Sequence, residues 1–509
     1  MLARLYSVTL EGIDGIICEV EVDVSRGGYD RPTIVGLPDT AVKESVERVR
    51  SAITNSGYKH PDTQSLINLA PADVKKAGPA FDLPIALGML ACSGSLQSDS
   101  LKRHLIVGEL ALDGRVRRVN GALSMAMCAA ENGFSSIMVP LDNAREAAVV
   151  QNINVYGVAS LAQAVGYLSD ELPLETTTVD IDEIFNVAST YDVDFSDVKG
   201  QETVKRALTI AAAGAHNVMM IGPPGAGKTM LAERLATILP PLGLQESLET
   251  TRIYSSVGLL EKNVALIATR PIRAPHHTAT GPALIGGGTT PRPGELSLAH
   301  HGILFLDEFA EFPRHILEMI RQPLEDGTAT VSRAKGTITF PAQFILIAAM
   351  NPCPCGYFGT HMRKCKCTPR QIERYMAKIS GPLMDRIDIH IDVPPVTFYK
   401  LRSKTRRSDS AVIRDQIIAA RETQTRRFGD GPVMTNARMT HKQLEKHCAL
   451  DELCVQLLKQ AMAEFALSAR AHDKICKVAR TIADLEGAED INAQHLAEAI
   501  SYRKLDRKL

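Results

Sequence analysis

One segment of eight residues restricts the folds open to this chain more than any other part of it. Residues 222–229 read Gly-Pro-Pro-Gly-Ala-Gly-Lys-Thr and match the phosphate-binding pattern G-x-x-x-x-G-K-[ST]. The pattern follows an apolar segment, 217–221, and precedes a segment with helical periodicity, 228–238. A strand, a glycine-rich turn and a helix in this order open a parallel α/β unit. The sequence therefore predicts an α/β fold with a phosphate site where this strand ends.

The residues of this segment, the nucleotide loop, have separate predicted roles. Its glycines let backbone N–H groups turn inward around phosphates, and the following helix N-terminus adds its positive dipole end. Lys228 is predicted to reach the β- and γ-phosphates, and Thr229 to ligate Mg²⁺. A chance glycine-rich turn is the alternative, against which the flanking strand and helix argue. The predicted nucleotide-binding residues are Gly222, Pro223, Pro224, Gly225, Ala226, Gly227, Lys228, Thr229 and Met230.

Two later apolar segments each end in polar residues. Residues 303–306 lead into Asp307 and Glu308. Asp307 is predicted to hold the Mg²⁺ shell, and Glu308 to orient and deprotonate the attacking water. The next strand ends at Asn351, predicted to hydrogen-bond the γ-phosphate or the water. An acidic helix cap for the first pair, and a turn-forming asparagine before Pro352, are the alternative interpretations.

Two arginines are candidates for contact with the γ-phosphate. Arg386 suits an arginine finger, although its neighbours Asp385 and Asp388 leave an ordinary surface ion pair open. Arg470 begins a C-terminal helix from which its side chain can reach back toward the nucleotide. A purely structural role stays open for each arginine.

Four of the ten cysteines crowd into one short segment. Nine residues separate Cys353 and Cys355 from Cys365 and Cys367, in a loop that contains Gly and Pro. Four thiolates of this kind can converge tetrahedrally on Zn²⁺, although C-x-C is tighter than the common C-x₂-C spacing. Reduced loop thiols are the alternative, and His361 is a further candidate ligand.

Composition limits the partners and the compartment. The chain has 509 residues, 45% hydrophobic and 23% charged, which predicts several globular domains. Lys plus Arg number 57 against 58 for Asp plus Glu, so any binding of DNA must be local. No apolar stretch approaches about 18 residues, and residues 1–20 lack the apolar core of a signal peptide. We therefore predict a cytoplasmic protein with no membrane partner.

Patterns along the chain predict four segments. Residues 1–168 mix short β-branched runs with helical stretches, as in an α+β domain. Between residues 170 and 197 there are nine acidic residues and no Lys or Arg, which is typical of a solvated linker. The predicted limits are 1–168 for an α+β domain, 169–196 for an acidic linker, 197–394 for an ATPase core and 395–509 for a helical lid.

Taken in order, these motifs resemble the AAA+ ATPases, and within them the magnesium-chelatase-like branch. Residues 273–278, 292–300 and 351–356 are in addition similar to the ComM/YifB family, and the resemblance covers essentially the whole chain. It implies a homohexameric, ATP- and Mg²⁺-dependent DNA helicase that promotes branch migration on single-stranded and branched DNA. That activity belongs to homologous recombination in natural transformation, with recombination proteins as candidate partners. It also implies that Arg386 acts in trans on a neighbouring subunit's ATP, and that Arg470 senses the same nucleotide.

The N-terminal segment resembles the proteolytic domain of Lon, a ribosomal S5 domain 2-like fold. Residues 75–80 resemble the segment around Lon's nucleophilic serine, and residues 108–116 resemble the approach to its catalytic lysine. Ala80 stands in the serine's place, and no Lys occurs between residues 103 and 198. A Ser-Lys mechanism needs a hydroxyl and an amine within hydrogen-bond reach. We therefore predict a scaffold or ring-stabilising role without proteolysis.

Two segments are candidates for DNA contact, because insertions of the magnesium-chelatase-like branch project toward the ring pore. Residues 328–340 predict a hairpin with Arg333 and Lys335 at its tip. An earlier glycine-rich loop, 286–292, carries Arg292. A ring would repeat these cations around its pore, which favours phosphate contact in a neutral chain. An ordinary hairpin with exposed cations is the alternative.

Two other functions fit the same core. One is a metal-chelatase motor subunit that drives Mg²⁺ insertion into a porphyrin, although no metal-binding partner domain is fused here. The other is an ATP-switched assembly platform that recruits partners through its N-terminal domain.

Overall fold

The structure is a computed structural model, and its contacts divide the chain into two compact units. The first comprises Met1–Ala188 and Gly243–Ala268, and the second Ser189–Leu242 and Thr269–Leu509. The residues that it describes are 2–25, 32–61, 64–96, 101–187, 193–288, 291–333, 336–360, 363–396, 409–429, 434–465 and 467–503.

The first unit is built on a mixed sheet of seven strands. A hairpin joins β1 (Leu2–Glu11) to β2 (Asp14–Ser25), and the alternating burial of β1 places one face of the hairpin in the core. The remaining strands are β3 (Thr33–Val35), β4 (Gln64–Ala70), β5 (His104–Ile106), β6 (Glu109–Leu110), β7 (Val116–Arg117), β8 (Ser136–Pro140) and β9 (Asn154–Val158). The sheet has the order β3-β4-β2-β1-β5-β8-β9, and β6 pairs with β7 separately.

Helices cover this sheet, and the most apolar of them is almost wholly buried. Ten of the eleven residues of Asp82–Cys92 are buried, beginning with Asp82, which pairs with Arg48 at 2.8 Å. Ala80, in the place predicted for a serine, lies buried in the 3₁₀ turn Pro79–Phe81. The helices of the unit are Thr40–Lys43, Ser45–Asn55, Asp82–Cys92, Ala122–Glu131, Leu141–Ala147, Leu161–Leu168, Ile181–Val187 and Leu244–Ser256.

Part of the predicted acidic linker, 169–196, is folded into the first unit. It contains the helix Ile181–Val187, and the Thr177 N–H donates to the Val155 carbonyl at 2.9 Å. Ile184 packs against a cluster that includes Leu123. Apolar side chains spaced through the acidic residues therefore hold this stretch against the unit, which its charge count did not indicate.

A segment inside the predicted ATPase core, 243–268, also belongs to the first unit. The Gly121 N–H donates to Ser255, at 3.1 Å to its carbonyl and 3.0 Å to its Oγ. Arg252 pairs with Asp14 at 2.5 Å, and Leu266 joins the cluster around Leu123. The two units therefore follow other limits than the four predicted segments.

The second unit contains five parallel strands in the order β11-β14-β17-β10-β18. All residues of β10, β14 and β17 are buried, which explains why these strands read as continuous apolar runs. Two antiparallel ribbons, β12-β13 and β15-β16, lie outside this sheet. The strands are β10 (Val218–Ile221), β11 (Ile272–Arg273), β12 (Gly286–Gly287), β13 (Arg292–Pro293), β14 (Ile303–Leu306), β15 (Thr328–Arg333), β16 (Gly336–Pro341), β17 (Ile345–Met350) and β18 (Ile389–Asp392).

The predicted α/β fold is confirmed in this unit, and its helices cover both faces of the sheet. The C-terminal helices share one buried apolar cluster with one sheet face, and shorter helices cover the other. Among the described residues, none of the helices combines the length and apolar composition needed to span a bilayer. The helices are Glu202–Gly214, Lys228–Leu235, Gly281–Ile285, Glu295–Leu298, Arg314–Met319, Arg321–Asp326, Pro369–Met376, Gly381–Met384, Ser410–Phe428, His441–His447, Glu452–Phe465, Ala469–Leu485 and Ala493–Ser501.

Strand order determines where the polar strand ends meet. β17 lies between β14 and β10, and all three run parallel. Their carboxyl ends therefore share one edge of the sheet, which is where open α/β sheets bind ligands.

Candidate functional site

The nucleotide loop leaves β10 in a conformation that its glycines permit. Gly227 has φ 86° and caps the helix Lys228–Leu235, a backbone region that most side chains avoid. A Cβ on Gly222 would lie 2.4 Å from the Val393 carbonyl oxygen, so the loop begins where two backbones touch. The loop therefore has the left-handed turn and close backbone approach expected of a phosphate cradle.

Lys228 is the buried cation of this loop. Its side chain is 8% exposed, and Nζ donates to the carbonyls of Gly222 at 2.8 Å and Pro223 at 3.1 Å. It also donates to Asn351 Oδ1 at 3.2 Å. Burial lowers the pKa of Lys228, and the carboxylates of Asp307 and Glu308 oppose that shift. The structure thus brings the predicted lysine, asparagine and acidic residues to one edge of the sheet.

Thr229 and Asp307 meet as a pair of oxygen ligands. Thr229 Oγ1 donates to Asp307 Oδ2 at 2.8 Å, and the Glu308 N–H donates to Asp307 Oδ1 at 2.8 Å. Mg²⁺ prefers hydroxyl, carboxylate and water oxygens and keeps several of its waters in such sites. The donors at this strand end fit that ion.

Glu308 has an unusual backbone and a neighbour that the sequence reasoning did not assign to it. Its φ is 51°, in the left-handed region, and its side chain is 56% exposed. His277 Nδ1 lies 3.3 Å from Glu308 Oε2, and the His277 ring stacks on His276 with centroids 4.1 Å apart. The available signal was that His277 follows β11, which is the neighbour of β14.

Gln201 is a second residue that sequence reasoning missed. Its side-chain amide donates to the Ala226 carbonyl at 2.9 Å and to the Pro394 carbonyl at 2.7 Å. Gln201 therefore fastens the nucleotide loop to the chain that follows β18. A single polar residue before a helix carries no pattern from which this role can be predicted.

Arg386 is buried, but its contacts lie outside the nucleotide loop. The residue is 9% exposed, with Nη2 2.6 Å from Glu325 Oε1 and Nη1 donating to the Pro382 carbonyl at 2.6 Å. Its Nε has no hydrogen-bond partner among the described residues. Neither neighbouring aspartate is the partner: the structure pairs Arg386 with a glutamate distant in sequence.

Arg470 is exposed at the second position of the helix Ala469–Leu485. A cation at a helix N-terminus opposes the macrodipole, so helix stability does not account for this placement. One turn further, Lys474 reaches Asp388 at 2.5 Å, and His216 lies 3.2 Å from the same carboxylate. Burial disfavours ionisation of Asp388, but Lys474 and His216 outweigh it and hold its pKa below the usual range.

The four clustered cysteines converge on one point. Their sulfurs all lie within 4.8 Å of one another, and three pairs are 3.4, 3.5 and 3.8 Å apart. Four sulfurs at about 2.3 Å from a tetrahedral Zn²⁺ are separated by about 3.8 Å, so these thiols fit that ion. Backbone N–H groups of Lys366 and Tyr357 lower the pKa of the Cys355 thiol to about 6. His361 lies outside the described residues.

The two segments predicted to contact DNA are neighbours. Arg333 is exposed at the end of β15, opposite Gly336 of β16, and Arg292 is exposed in β13. A Cβ on Gly287 would lie 3.1 Å from Arg333 Nη2, so the two ribbons come together at this arginine. Lys335 lies outside the described residues.

Comparison with protein families gives matches along most of the chain. A family described as "Magnesium chelatase, subunit ChlI" matches residues 194–401. One described as "Subunit ChlI of Mg-chelatase" matches residues 20–143, and one described as "Magnesium chelatase, subunit ChlI C-terminal" matches residues 407–503.

Individual relatives match over the full length. Competence protein ComM of Haemophilus influenzae is 44% identical over 100% of this chain and 98% of its own length. Uncharacterized protein YifB of Escherichia coli is 42% identical, with the same two coverages. The magnesium-chelatase 38 kDa subunit of Rhodobacter capsulatus is 26% identical over 61% of this chain and 87% of its own length.

Proposed function

The chain belongs to the ComM/YifB family of magnesium-chelatase-like AAA+ proteins, and from that membership we propose a cytoplasmic, hexameric DNA helicase driven by ATP. Its proposed task is branch migration during homologous recombination in natural transformation. The observation that carries the proposal is the set of contacts at one sheet edge, where Lys228 meets Asn351 and Thr229 meets Asp307. The name of the Haemophilus influenzae relative supports a role in competence.

The proposed hydrolytic step follows from the residues at that edge. Lys228 would bind the β- and γ-phosphates in place of its present carbonyl acceptors, and Thr229 with Asp307 would hold Mg²⁺. When bound, Mg²⁺ supplies charge neutralisation at the phosphates. Glu308 would take a proton from the attacking water, and Asn351 would orient that water or the γ-phosphate.

The two arginines would complete the site between subunits of a ring. Within its own chain, Arg386 is ion-paired with Glu325, and Arg470 extends from the end of its helix. We assign Arg386 to a neighbouring subunit's ATP and Arg470 to sensing the same nucleotide. This assignment requires a ring, which we propose to be a homohexamer.

Single-stranded or branched DNA would be held by a few cations repeated around that ring. Arg333 and Arg292 are exposed on adjacent ribbons, and Lys335 is the third proposed contact. Because the chain has a net charge of −1, binding would depend on these local cations and weaken steeply with added salt. The first unit would serve as an inert scaffold, since Ala80 offers no nucleophile.

ATPase and branch-migration assays on three- and four-stranded junctions test the proposal. We expect ATP hydrolysis to rise with single-stranded or forked DNA, and strands to exchange only while ATP is hydrolysed. ATPase activity that ignores DNA would favour the assembly platform. ATP-dependent Mg²⁺ insertion into a porphyrin by added chelatase subunits would favour the chelatase motor, to which the family matches lend support.

Zn²⁺ is the third proposed cofactor, beside ATP and Mg²⁺. Its ligands would be Cys353, Cys355, Cys365 and Cys367.

A further inference from the structure

The described residues 353–360 and 363–367 carry the four cysteines and are called the cysteine loop, which packs against the nucleotide loop at Gly356. Gly356 has φ 82°, and a Cβ there would lie 2.6 Å from Pro224 Cδ and 3.9 Å from Asn351 Cγ. The Gly356 N–H donates to the Cys353 carbonyl at 2.9 Å, which closes a tight turn over Pro224. The backbone of the cysteine loop therefore touches the wall of the proposed phosphate site.

A second path joins the two loops through Asn351. This residue follows β17, accepts a hydrogen bond from Lys228 Nζ at 3.2 Å, and stands two positions before the buried Cys353. A displacement of Cys353 would reach Asn351 through the intervening Pro352, and Lys228 would lose one of its three acceptors. The position of the cysteine loop thus bears on two contacts of the nucleotide loop.

The described residues of this loop are mostly exposed or half-buried, and only Cys353 and Gly356 are buried. Between the end of β17 and the helix Pro369–Met376, the described residues form neither helix nor strand. Ordering the backbone costs about 1–2 kcal/mol per residue, and with Phe358 half exposed the loop buries little apolar side-chain surface to offset that cost. All four cysteines are free thiols with their sulfurs turned toward one another, an arrangement that one tetrahedral metal would stabilise.

We propose that the four cysteines bind one Zn²⁺, and that this metal holds the cysteine loop in the position where it contacts Pro224 and Asn351. Occupancy of the metal site would then set the affinity for ATP. Without the metal, the nucleotide loop would lose its contact with the cysteine loop, and ATP binding would have to supply the free energy that orders it. The inference rests on the proposed ATP site, but it requires neither hydrolysis nor DNA.

The first test measures zinc and ATP binding separately on the full chain. Protein purified without added metal should contain about one zinc per chain by elemental analysis. Cys353→Ser and Cys367→Ser should lose that zinc and bind a fluorescent ATP analogue about tenfold more weakly or worse. Cys92→Ser is the matched control, because Cys92 lies in the first unit, and it should keep both values.

A second variant separates zinc binding from the contact between the cysteine loop and the nucleotide loop. Gly356→Ala should retain zinc, since Gly356 supplies no thiol, yet weaken ATP binding because its Cβ would collide with Pro224. In the unsubstituted protein, removal of zinc with a chelator should lower the ATP affinity, and re-addition of zinc should restore it. Because chelation leaves the sequence unchanged, it avoids any loss of folding that a cysteine substitution causes.

The metal site, its coupling to ATP binding and the proposed function are each contradicted by a different outcome. A zinc content near zero in the unsubstituted protein would overturn the metal site. ATP affinity unchanged by chelation, with zinc shown to be removed, would overturn the coupling. Lys228→Ala should lose ATP binding and keep its zinc. An incorrect assignment of the ATP site is therefore distinguishable from an incorrect assignment of the zinc-dependent contact. Loss of branch migration alone would count against the proposed function only.

Discussion

Two regions of the second unit supply predicted catalytic residues, and they differ in what those residues contact. At the carboxyl ends of β10, β14 and β17, the predicted residues contact one another: Lys228 meets Asn351, and Thr229 meets Asp307. At the approach to β18, Arg386 is as buried as Lys228, but its ion pair is with Glu325. The first region is therefore assembled within one chain, whereas the second is electrostatically satisfied without a nucleotide.

Removal of the Lys228 ammonium is the change with the largest expected effect. Lys228→Ala should abolish ATP turnover and lower the affinity for a fluorescent ATP analogue at least about a hundredfold, because charge-assisted phosphate contacts are lost. A control is Lys205→Ala, since the Lys205 ammonium lies outside the nucleotide loop, 3.5 Å from the exposed carboxylate of Glu202. ATP binding by Lys228→Ala at the unsubstituted level would show that the first region is not the nucleotide site.

Mixed rings test the division between the two regions directly. Arg386→Ala should bind ATP normally but hydrolyse it about a thousandfold more slowly, the scale of a lost arginine finger. Mixing it with Lys228→Ala subunits should restore part of the ATPase rate, because some interfaces then combine an intact loop with an intact arginine. The rate is measured as phosphate release against the ratio of the two variants.

A lack of restoration at every ratio would place Arg386 in its own chain's machinery. Glu325→Gln provides a matched comparison, since it removes the resting partner and leaves the arginine. It should bind ATP and retain most of the turnover.

Loss of the proposed base has the next largest effect. Glu308→Gln keeps the shape of the side chain but cannot take a proton, so kcat should fall about a hundredfold while ATP binding persists. Single-turnover phosphate release and a binding titration separate the two quantities. Strand displacement retained by this variant would contradict a motor driven by hydrolysis.

Removal of the contact between His277 and Glu308 is the change with the smallest expected effect. His277→Ala should change the DNA-independent ATPase rate less than about fivefold, upward, because a half-exposed pair worth about 1 kcal/mol no longer restrains the carboxylate. His276→Ala, which keeps that pair, is the control. A fall of a hundredfold would instead assign His277 to the catalytic machinery.

Sequence reasoning reached the first region because its residues follow local patterns. Lys228 lies in a motif with fixed spacing, and Asp307 and Asn351 end apolar strands whose parallel pairing makes them neighbours. The convergence of the cysteines was likewise predictable from their spacing alone. These predictions need only the order of strands and the chemistry of each side chain.

The remaining contacts depend on tertiary approach and left no local signal. Glu325 pairs with Arg386, and Gln201 bonds to Ala226, across separations that no periodicity records. The segment 243–268 joins the first unit through Ser255, which a helical pattern does not distinguish from a helix of the ATPase core. The contact between Gly356 and Pro224 is likewise a tertiary contact that no local sequence pattern predicts.

The pair formed by Asp388 and Lys474 has a mechanical consequence. Asp388 begins the approach to β18 two residues after Arg386, and Lys474 stands one turn after Arg470. Asp388 is buried and Lys474 only partly exposed, so removal of the lysine would leave a buried carboxylate at a cost of up to about 3–5 kcal/mol. This ion pair therefore joins the approach to β18, which carries Arg386, to the helix Ala469–Leu485, which carries Arg470. A movement of the C-terminal helices that displaces Lys474 must therefore either break this pair or pull on the segment that carries Arg386.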